Sequence, residues 1–353
     1  MRLAFSPYVL DFKFPAGTSR EVLLKKKTYF LKYYDEDHPK TAGYGEAALF
    51  EGLSVEDTPE FESKLVELSR SVRENLQCDI SNYSSIIFGF EQAVKDYENG
   101  GIGLYFPSAF SKGEKTIDIN GLIWMGSRKE MIERINQKID GGYDCIKIKI
   151  GAIEWKDELY LLELIRELTE GKTIDLRVDA NGAFSNADCL KKLGDLEKFH
   201  LHSIEQPIKA GDWDFMKKIC EESPVPIALD EELIGISEEE ERERLVEYIK
   251  PQYVVLKPAL CFGFAGAESW IRIAEKHNTG WWITSALESA VGLDAIAQFT
   301  GNFELKMAQG LGTGALYTNN FSSPLVLEGS KLSLKKPTDI FRSELENLKW
   351  REY

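Results

Sequence analysis

Cys145-Ile146-Lys147-Ile148-Lys149-Ile150-Gly151 is an apolar run that carries two lysines and stops at a glycine. In a strand, side chains alternate with period two, so Lys147 and Lys149 share a face. Four runs of the same build follow it: Leu176-Arg177-Val178-Asp179-Ala180-Asn181-Gly182, Ser203-Ile204-Glu205-Gln206-Pro207, Ile227-Ala228-Leu229-Asp230-Glu231-Glu232 and Tyr253-Val254-Val255-Leu256-Lys257-Pro258-Ala259. The charges Lys149, Asp179, Glu205, Asp230 and Lys257 are 30, 26, 25 and 27 residues apart. That step is about the length of one strand, one covering helix and two loops. Burying an unpaired charge costs several kcal/mol, so such residues must be paired, metal-bound or open to solvent at a strand end. In four of the five runs a Gly or Pro follows within three residues, which places the charges at the carboxyl ends of their strands.

Working outward, three further strands are expected at 117–124, 281–285 and 306–311. With 145–150, 174–179, 202–206, 226–230 and 252–257 they make eight, alternating with amphipathic helices. Ser127 and Glu130 form a capping box for one helix, which carries Met131, Ile132, Ile135 and Ile139 and ends at Gly141-Gly142. This predicts an α/β fold, a (β/α)8-type, TIM-like barrel in its modified (β/α)7β form, over 113–320. A doubly wound sheet competes, but Trp124-Met125-Gly126-Ser127-Arg128 is not the Gly-rich phosphate turn that such a sheet carries after its first strand. Residues 1–112 read differently: an antiparallel meander at 3–14, 22–35 and 41–49, then two helices, an α+β capping domain. Residues 321–353 add no further barrel unit and are expected to pack back on the capping domain.

Composition narrows the function classes. The 353 residues hold 43 Lys plus Arg against 58 Asp plus Glu, a net charge of −15, which argues against nucleic acid as a partner. No apolar run approaches the ~18–20 residues of a membrane span, and no secretory leader is legible at the N-terminus. Five scattered cysteines without a CxxC pair fit reduced thiols. The expected setting is cytoplasmic, the partner a small-molecule carboxylate, and an oligomer is left open.

Three carboxylates, Asp179, Glu205 and Asp230, on successive strands of one barrel face suit a hard divalent ion held by oxygen, Mg²⁺ first and Mn²⁺ as a substitute. Lys149 precedes the first acid and Lys257 follows the last, so the amines flank the acids from opposite sides. A lysine beside a divalent cation and another amine is expected to release its proton more readily and act as a base. The set suits removal of a proton α to a bound carboxylate.

Lys147-Ile148-Lys149, Asp179-Ala180-Asn181, Glu205-Gln206-Pro207, Asp230-Glu231 and Lys257-Pro258 resemble the muconate-lactonising subgroup of the enolase superfamily, and this pairing of Lys with Mg²⁺ is a known pattern there. Gly43-Tyr44-Gly45-Glu46-Ala47 and Phe88-Gly89-Phe90-Glu91-Gln92-Ala93 extend the resemblance into the capping domain. Within the subgroup, Thr284-Ser285-Ala286-Leu287-Glu288-Ser289-Ala290-Val291-Gly292-Leu293 and Gly310-Leu311-Gly312-Thr313 resemble the o-succinylbenzoate synthases, lyases of menaquinone synthesis, and the eighth strand lacks the Asp-x-Asp of dipeptide epimerases. Phe14-Pro15-Ala16-Gly17-Thr18-Ser19-Arg20 resembles their mobile capping-domain loop.

The resemblance implies dehydration of 2-succinyl-6-hydroxy-2,4-cyclohexadiene-1-carboxylate to 2-succinylbenzoate. Lys149 would act as base and then acid, Lys257 as a cation facing the carbanion, and Lys147 as support for developing charge. It further implies Mg²⁺ on Asp179, Glu205 and Asp230, substrate contacts from Ser285, Arg20, Thr18, Gly310 and Thr313, and supporting roles for Asn181 and Glu231. An N-succinylamino acid racemase or dipeptide epimerase needs the same proton abstraction and is the alternative. A non-catalytic anion-binding barrel is the remote one. His38, His200, His202 and His277 are expected to be structural or solvated, and the Trp281-Trp282 pair to be core.

Overall fold

The computed structural model describes residues 1–17, 22–38 and 40–353. The chain opens with β1 (Arg2–Gly17), β2 (Val22–Tyr34) and β3 (Ala42–Ala47), paired antiparallel in that order. Two helices cover them, α1 (Phe61–Glu74) and α2 (Ser84–Glu98). Phe61, Leu65 and Leu68, spaced at helical period, are buried against Leu3, Phe5, Tyr29 and Leu31. The approach of α2 to β3 is closer still. A Cβ on Gly45 would stand 2.0 Å from the Gly89 carbonyl oxygen, and one on Gly89 would stand 2.6 Å from the Ala47 nitrogen. Only glycine permits this backbone contact. Gly45→Ala is expected to cost about 2–3 kcal/mol of stability, read as a lower urea midpoint with an unchanged m-value; an unshifted midpoint would mean that the helix yields freely.

The rest of the chain winds a parallel sheet. After β4 (Ile117–Asp118) come β5 (Gly121–Ile123), α3 (Arg128–Asp140), β6 (Cys145–Lys149), α4 (Trp155–Leu168), β7 (Asp175–Asp179), α5 (Cys189–Leu196), β8 (Ser203–Glu205), α6 (Trp213–Glu222), β9 (Ile227–Leu229), α7 (Glu239–Ile249), β10 (Tyr253–Leu256), α8 (Gly263–Lys276), β11 (Gly280–Ile283) and α9 (Ala290–Thr300). Strands β5 to β11 form one seven-stranded sheet in sequence order. The Ser127–Glu130 capping box starts α3 as expected. Ile146, Ile148, Val178, Ile204, Leu229 and Leu256 are buried in the core shared with the covering helices, which leaves the residues between them for the interior.

Two expected strands differ. Residues 117–124 divide: Ile117 and Asp118 pair antiparallel with β13 (Lys331–Leu334), and only Gly121–Ile123 joins the parallel sheet. The eighth strand, expected over 306–311, is reduced to two bridges, Ile119 with Gln309 and Thr284 with Gly310. The Ile283 N–H that a regular strand would engage through its backbone donates to the Gln309 side chain, 2.8 Å. The barrel still closes, because the Gln309 N–H donates to the Asp118 carbonyl at 2.8 Å and the Gly310 N–H to the Ile283 carbonyl at 2.8 Å. The result is a (β/α)7β barrel.

The chain then returns to its start. β12 (Leu325–Glu328) makes a hairpin with β13, and after α10 (Arg342–Glu346), β14 (Arg351–Glu352) pairs with β1.

Candidate active site

Register brings the charged rungs to one level. Lys149 is opposite Asp179, Asp179 is opposite Glu205, and Glu205 is opposite Ala228, two residues before Asp230. Lys147 Nζ lies 2.9 Å from Asp179 Oδ2 and 2.5 Å from Glu205 Oε2, so it bridges the two acids. Lys149 Nζ is 2.8 Å from Asp179 Oδ2 and donates to Asn181 Oδ1 at 2.7 Å. Lys257 pairs with Asp230. Asn181 Nδ2 in turn donates to Glu231 Oε1 at 3.1 Å, which ties both supporting residues to the cluster.

The electrostatics follow from burial and neighbours. Burial pulls the Lys147 ammonium toward neutrality, but Asp179 and Glu205 outweigh it and its pKa is raised. The same contest at Lys257, with Asp230 as the main partner, also ends in a raised pKa. The neighbours of these two lysines are carboxylates rather than a cation, so they shift away from the neutral form. Asp179 is held below the usual carboxylate range because Lys147 and Lys149 overcome its burial. Glu205 goes the other way: burial, and then the Asp179 charge, push its carboxyl well up.

Lys147, Lys149, Asp179, Asn181, Glu205, Lys257, Ser285, Gly310 and Thr313 line one cavity. Asp230 is reached through Lys257. Ser285 Oγ and Thr313 Oγ1 are 2.7 Å apart and buried, a pair of hydroxyls on the wall opposite the acids. Thr18 and Arg20 lie outside the described residues. Other lining residues went unread in the sequence: Phe50 and Leu53 after β3, and Asn120, Leu122 and Trp124 along the first barrel strand. Period-two spacing puts Asn120, Leu122 and Trp124 on one face of that strand, but it does not say which face looks inward. Trp124 stands over the Lys149 ammonium, with Nζ 5.8 Å from the ring centroid.

None of the four histidines, all of them described, lines the cavity. His202 stacks on Tyr253, its pKa held down to about 4 by burial and Arg177. Trp282 is buried in the barrel under Arg177, 4.2 Å from guanidinium carbon to ring.

Gly310 is needed for shape: a Cβ there would lie 2.2 Å from Thr284 Oγ1. Gly310→Ala should therefore shift the wall that bears Ser285 and Thr313 and lower kcat/KM by about 100-fold, measured by steady-state kinetics; a value within a few-fold of wild type would show that the wall adapts.

Oxygen-only donors fit a hard divalent ion. Among the described residues no three His, Cys, Asp or Glu side chains stand gathered as a ready metal cluster, since each acid is drawn to a lysine. Two observations favour an additional cation: Glu205 Oε1 is buried without a hydrogen-bond partner, and the Glu205 carboxyl is destabilised as an anion by burial first and then by the charges of Asp179 and Asp230.

A capped barrel with lysines and acids facing each other at its carboxyl end has the build of the enolase superfamily, whose enzymes generally use Mg²⁺. The family model for the enolase C-terminal domain-like fold matches residues 130–335. The o-succinylbenzoate synthase of Desulfotalea psychrophila is 42% identical over 95% of this chain and 99% of its own. A crystal structure of MenC from that organism superposes with a TM-score of 0.84 at 38% identity, covering 95% of this chain and 99% of the other. Muconate lactonizing enzyme from Pseudomonas fluorescens shares the fold, with a TM-score of 0.81 at 20% identity over 99% of this chain and 98% of that one. The chain belongs to the o-succinylbenzoate synthase family, a family of lyases within the enolase superfamily. Epimerases are more distant: the L-Ala-D/L-Glu epimerase of Francisella tularensis is 28% identical over 52% of this chain and 51% of its own.

Proposed function

We propose that the chain converts 2-succinyl-6-hydroxy-2,4-cyclohexadiene-1-carboxylate to 2-succinylbenzoate, a step of menaquinone synthesis, in a cytoplasmic setting. The observation that carries this reading is the placement of Lys149 and Lys257 at the two ends of one row of acids, in a cavity that also has an apolar wall and a pair of hydroxyls. Phe50, Leu53, Leu122 and Trp124 offer a surface for a six-membered ring, and the hydroxyls of Ser285 and Thr313 offer a place for its polar arm.

Asp179, Glu205 and Asp230 are the residues that would hold Mg²⁺, or Mn²⁺ in its place, because they are the oxygen donors of the site and Glu205 has an oxygen to spare. When bound, the ion supplies positive charge to the substrate carboxylate. Lys149, as the neutral amine, takes the proton on the carbon beside that carboxylate. The carbon–oxygen bond to the hydroxyl then breaks, the Lys149 ammonium returns the proton to the departing oxygen as water, and the ring becomes aromatic. Base and acid are one residue, so both events occur on one face. Lys257 stays ammonium, as its raised pKa favours, and faces the electron-rich ring as a cation. Lys147 sits between Asp179 and Glu205 and supports charge that builds on the substrate oxygens.

The test compares the cyclohexadiene with N-succinylamino acids on the same purified enzyme. The kcat/KM for aromatisation should exceed that for racemisation. Clear racemisation with no aromatisation would transfer the site to the racemase reading.

A further inference from the structure

Lys25-Lys26-Lys27 reads as a surface run, yet the middle lysine is 6% exposed while the side chain of Lys25 is 70% exposed. Lys26 Nζ donates to the carbonyl oxygens of Ala286 at 2.5 Å and Leu287 at 3.0 Å, both on the loop after β11. Its ammonium also lies 5.3 Å from the Phe50 ring centroid. All three partners line the cavity, although Lys26 itself does not.

The loop that it grips is under tension. Leu287 has a φ of +62°, a left-handed conformation that a leucine adopts at a cost. Its carbonyl is held by a second donor, Tyr317 Oη, at 2.6 Å. Its N–H donates to Ser285 Oγ at 2.9 Å, and that oxygen is the one 2.7 Å from Thr313 Oγ1. The two sides of the Leu287 residue are thus joined to Lys26 and to the hydroxyl pair. Burial pulls the Lys26 pKa down, with the Glu288 and Glu46 charges opposing it. A buried ammonium is an expensive way to bind two carbonyls unless the loop's position matters.

We propose that Lys26 is a positioning residue: through Ala286 and Leu287 it holds the Ser285–Thr313 hydroxyl pair where the polar arm of the substrate docks. The assignment rests on the substrate reading above for the identity of that arm. It makes the hairpin of β1 and β2 part of the pocket wall without a direct substrate contact from Lys26.

The test is a double-mutant cycle between Lys26→Met and Ser285→Ala, read by KM, by kcat and by calorimetric binding of 2-succinylbenzoate. Lys26→Met is expected to raise KM and the product Kd by about tenfold while changing kcat much less. Ser285→Ala should then cost far less in the Lys26→Met background than in wild type, because its hydroxyl is already misplaced. Lys26→Gln, which retains one donor for the carbonyls, should restore part of the affinity. A merely structural role would lower Tm, leave KM and Kd near wild type and make the two substitutions multiply independently; that pattern overturns the proposal. Should Lys26→Met fail to fold, Tyr317→Phe removes the other donor on the same carbonyl and carries the same expected KM rise and the same overturning result. A wild-type enzyme that neither forms nor binds 2-succinylbenzoate overturns the substrate reading, and the arm with it. Wild-type binding left unchanged in Lys26→Met overturns the Lys26 assignment alone.

Discussion

Lys149→Ala is expected to lower the rate of aromatisation by about 10⁴-fold, the upper range for removing a general acid–base group. The loss should fall on kcat rather than on KM, because the role proposed for Lys149 is to move the proton. The protein should remain folded: Asp179 keeps Lys147 at 2.9 Å and accepts the Asn181 backbone N–H at 3.0 Å, so its charge is still compensated. Circular dichroism and a thermal melt on the purified variant separate the two effects. Near-normal turnover in a folded Lys149→Ala protein would remove Lys149 from the role of base and leave the ladder of charges without its chemical reading.

Removal of divalent ions carries the second large effect. Chelation is expected to lower turnover by about 10³-fold, since a bound cation is worth several kcal/mol to a developing anion, with recovery on adding Mg²⁺ or Mn²⁺. A companion variant needs no turnover. Glu205 is a buried acid whose charge is opposed by burial and by Asp179, and its Oε1 has no partner. Its folded pKa lies above the unfolded value. In the metal-free protein the cost of keeping it ionised is therefore absent below the ordinary glutamate range and grows as pH rises through the folded value. Glu205→Gln removes that cost, so the metal-free variant should melt at or above the wild-type temperature at neutral pH while losing the stabilisation that Mg²⁺ confers. Equal Mg²⁺-induced shifts in Tm for wild type and Glu205→Gln would take Glu205 out of the ligand set.

The five rungs were legible because contrast made them so. A lysine or an acid inside a short apolar strand has no cheap structural reason to be there, and its regular spacing reports the βα repeat. The register of Lys149, Asp179 and Glu205 follows directly from that repeat. Where contrast was missing, the sequence was silent. Leu122 and Trp124 are apolar residues in an apolar strand, and nothing in the sequence distinguishes facing a cavity from facing a helix once the strand is short. Lys26 hid in a run of three lysines, and only the fold shows that the middle one is buried. The eighth strand misled for a related reason. Met307-Ala308-Gln309-Gly310-Leu311 has strand composition, but its pairing is completed by the Gln309 side chain and depends on the close approach to Thr284 that Gly310 permits, which no periodicity records. The bridging of Asp179 and Glu205 by Lys147 was likewise set by the strand register rather than by residue type.

In the proposed reaction this cavity removes a proton beside a carboxylate and expels water from a cyclohexadiene. The most direct measurement is the change in ultraviolet absorbance when purified enzyme and Mg²⁺ meet 2-succinyl-6-hydroxy-2,4-cyclohexadiene-1-carboxylate. The expected result is catalytic, multiple-turnover loss of the diene with stoichiometric appearance of 2-succinylbenzoate. A folded, Mg²⁺-saturated enzyme that leaves the diene at its uncatalysed rate would contradict it.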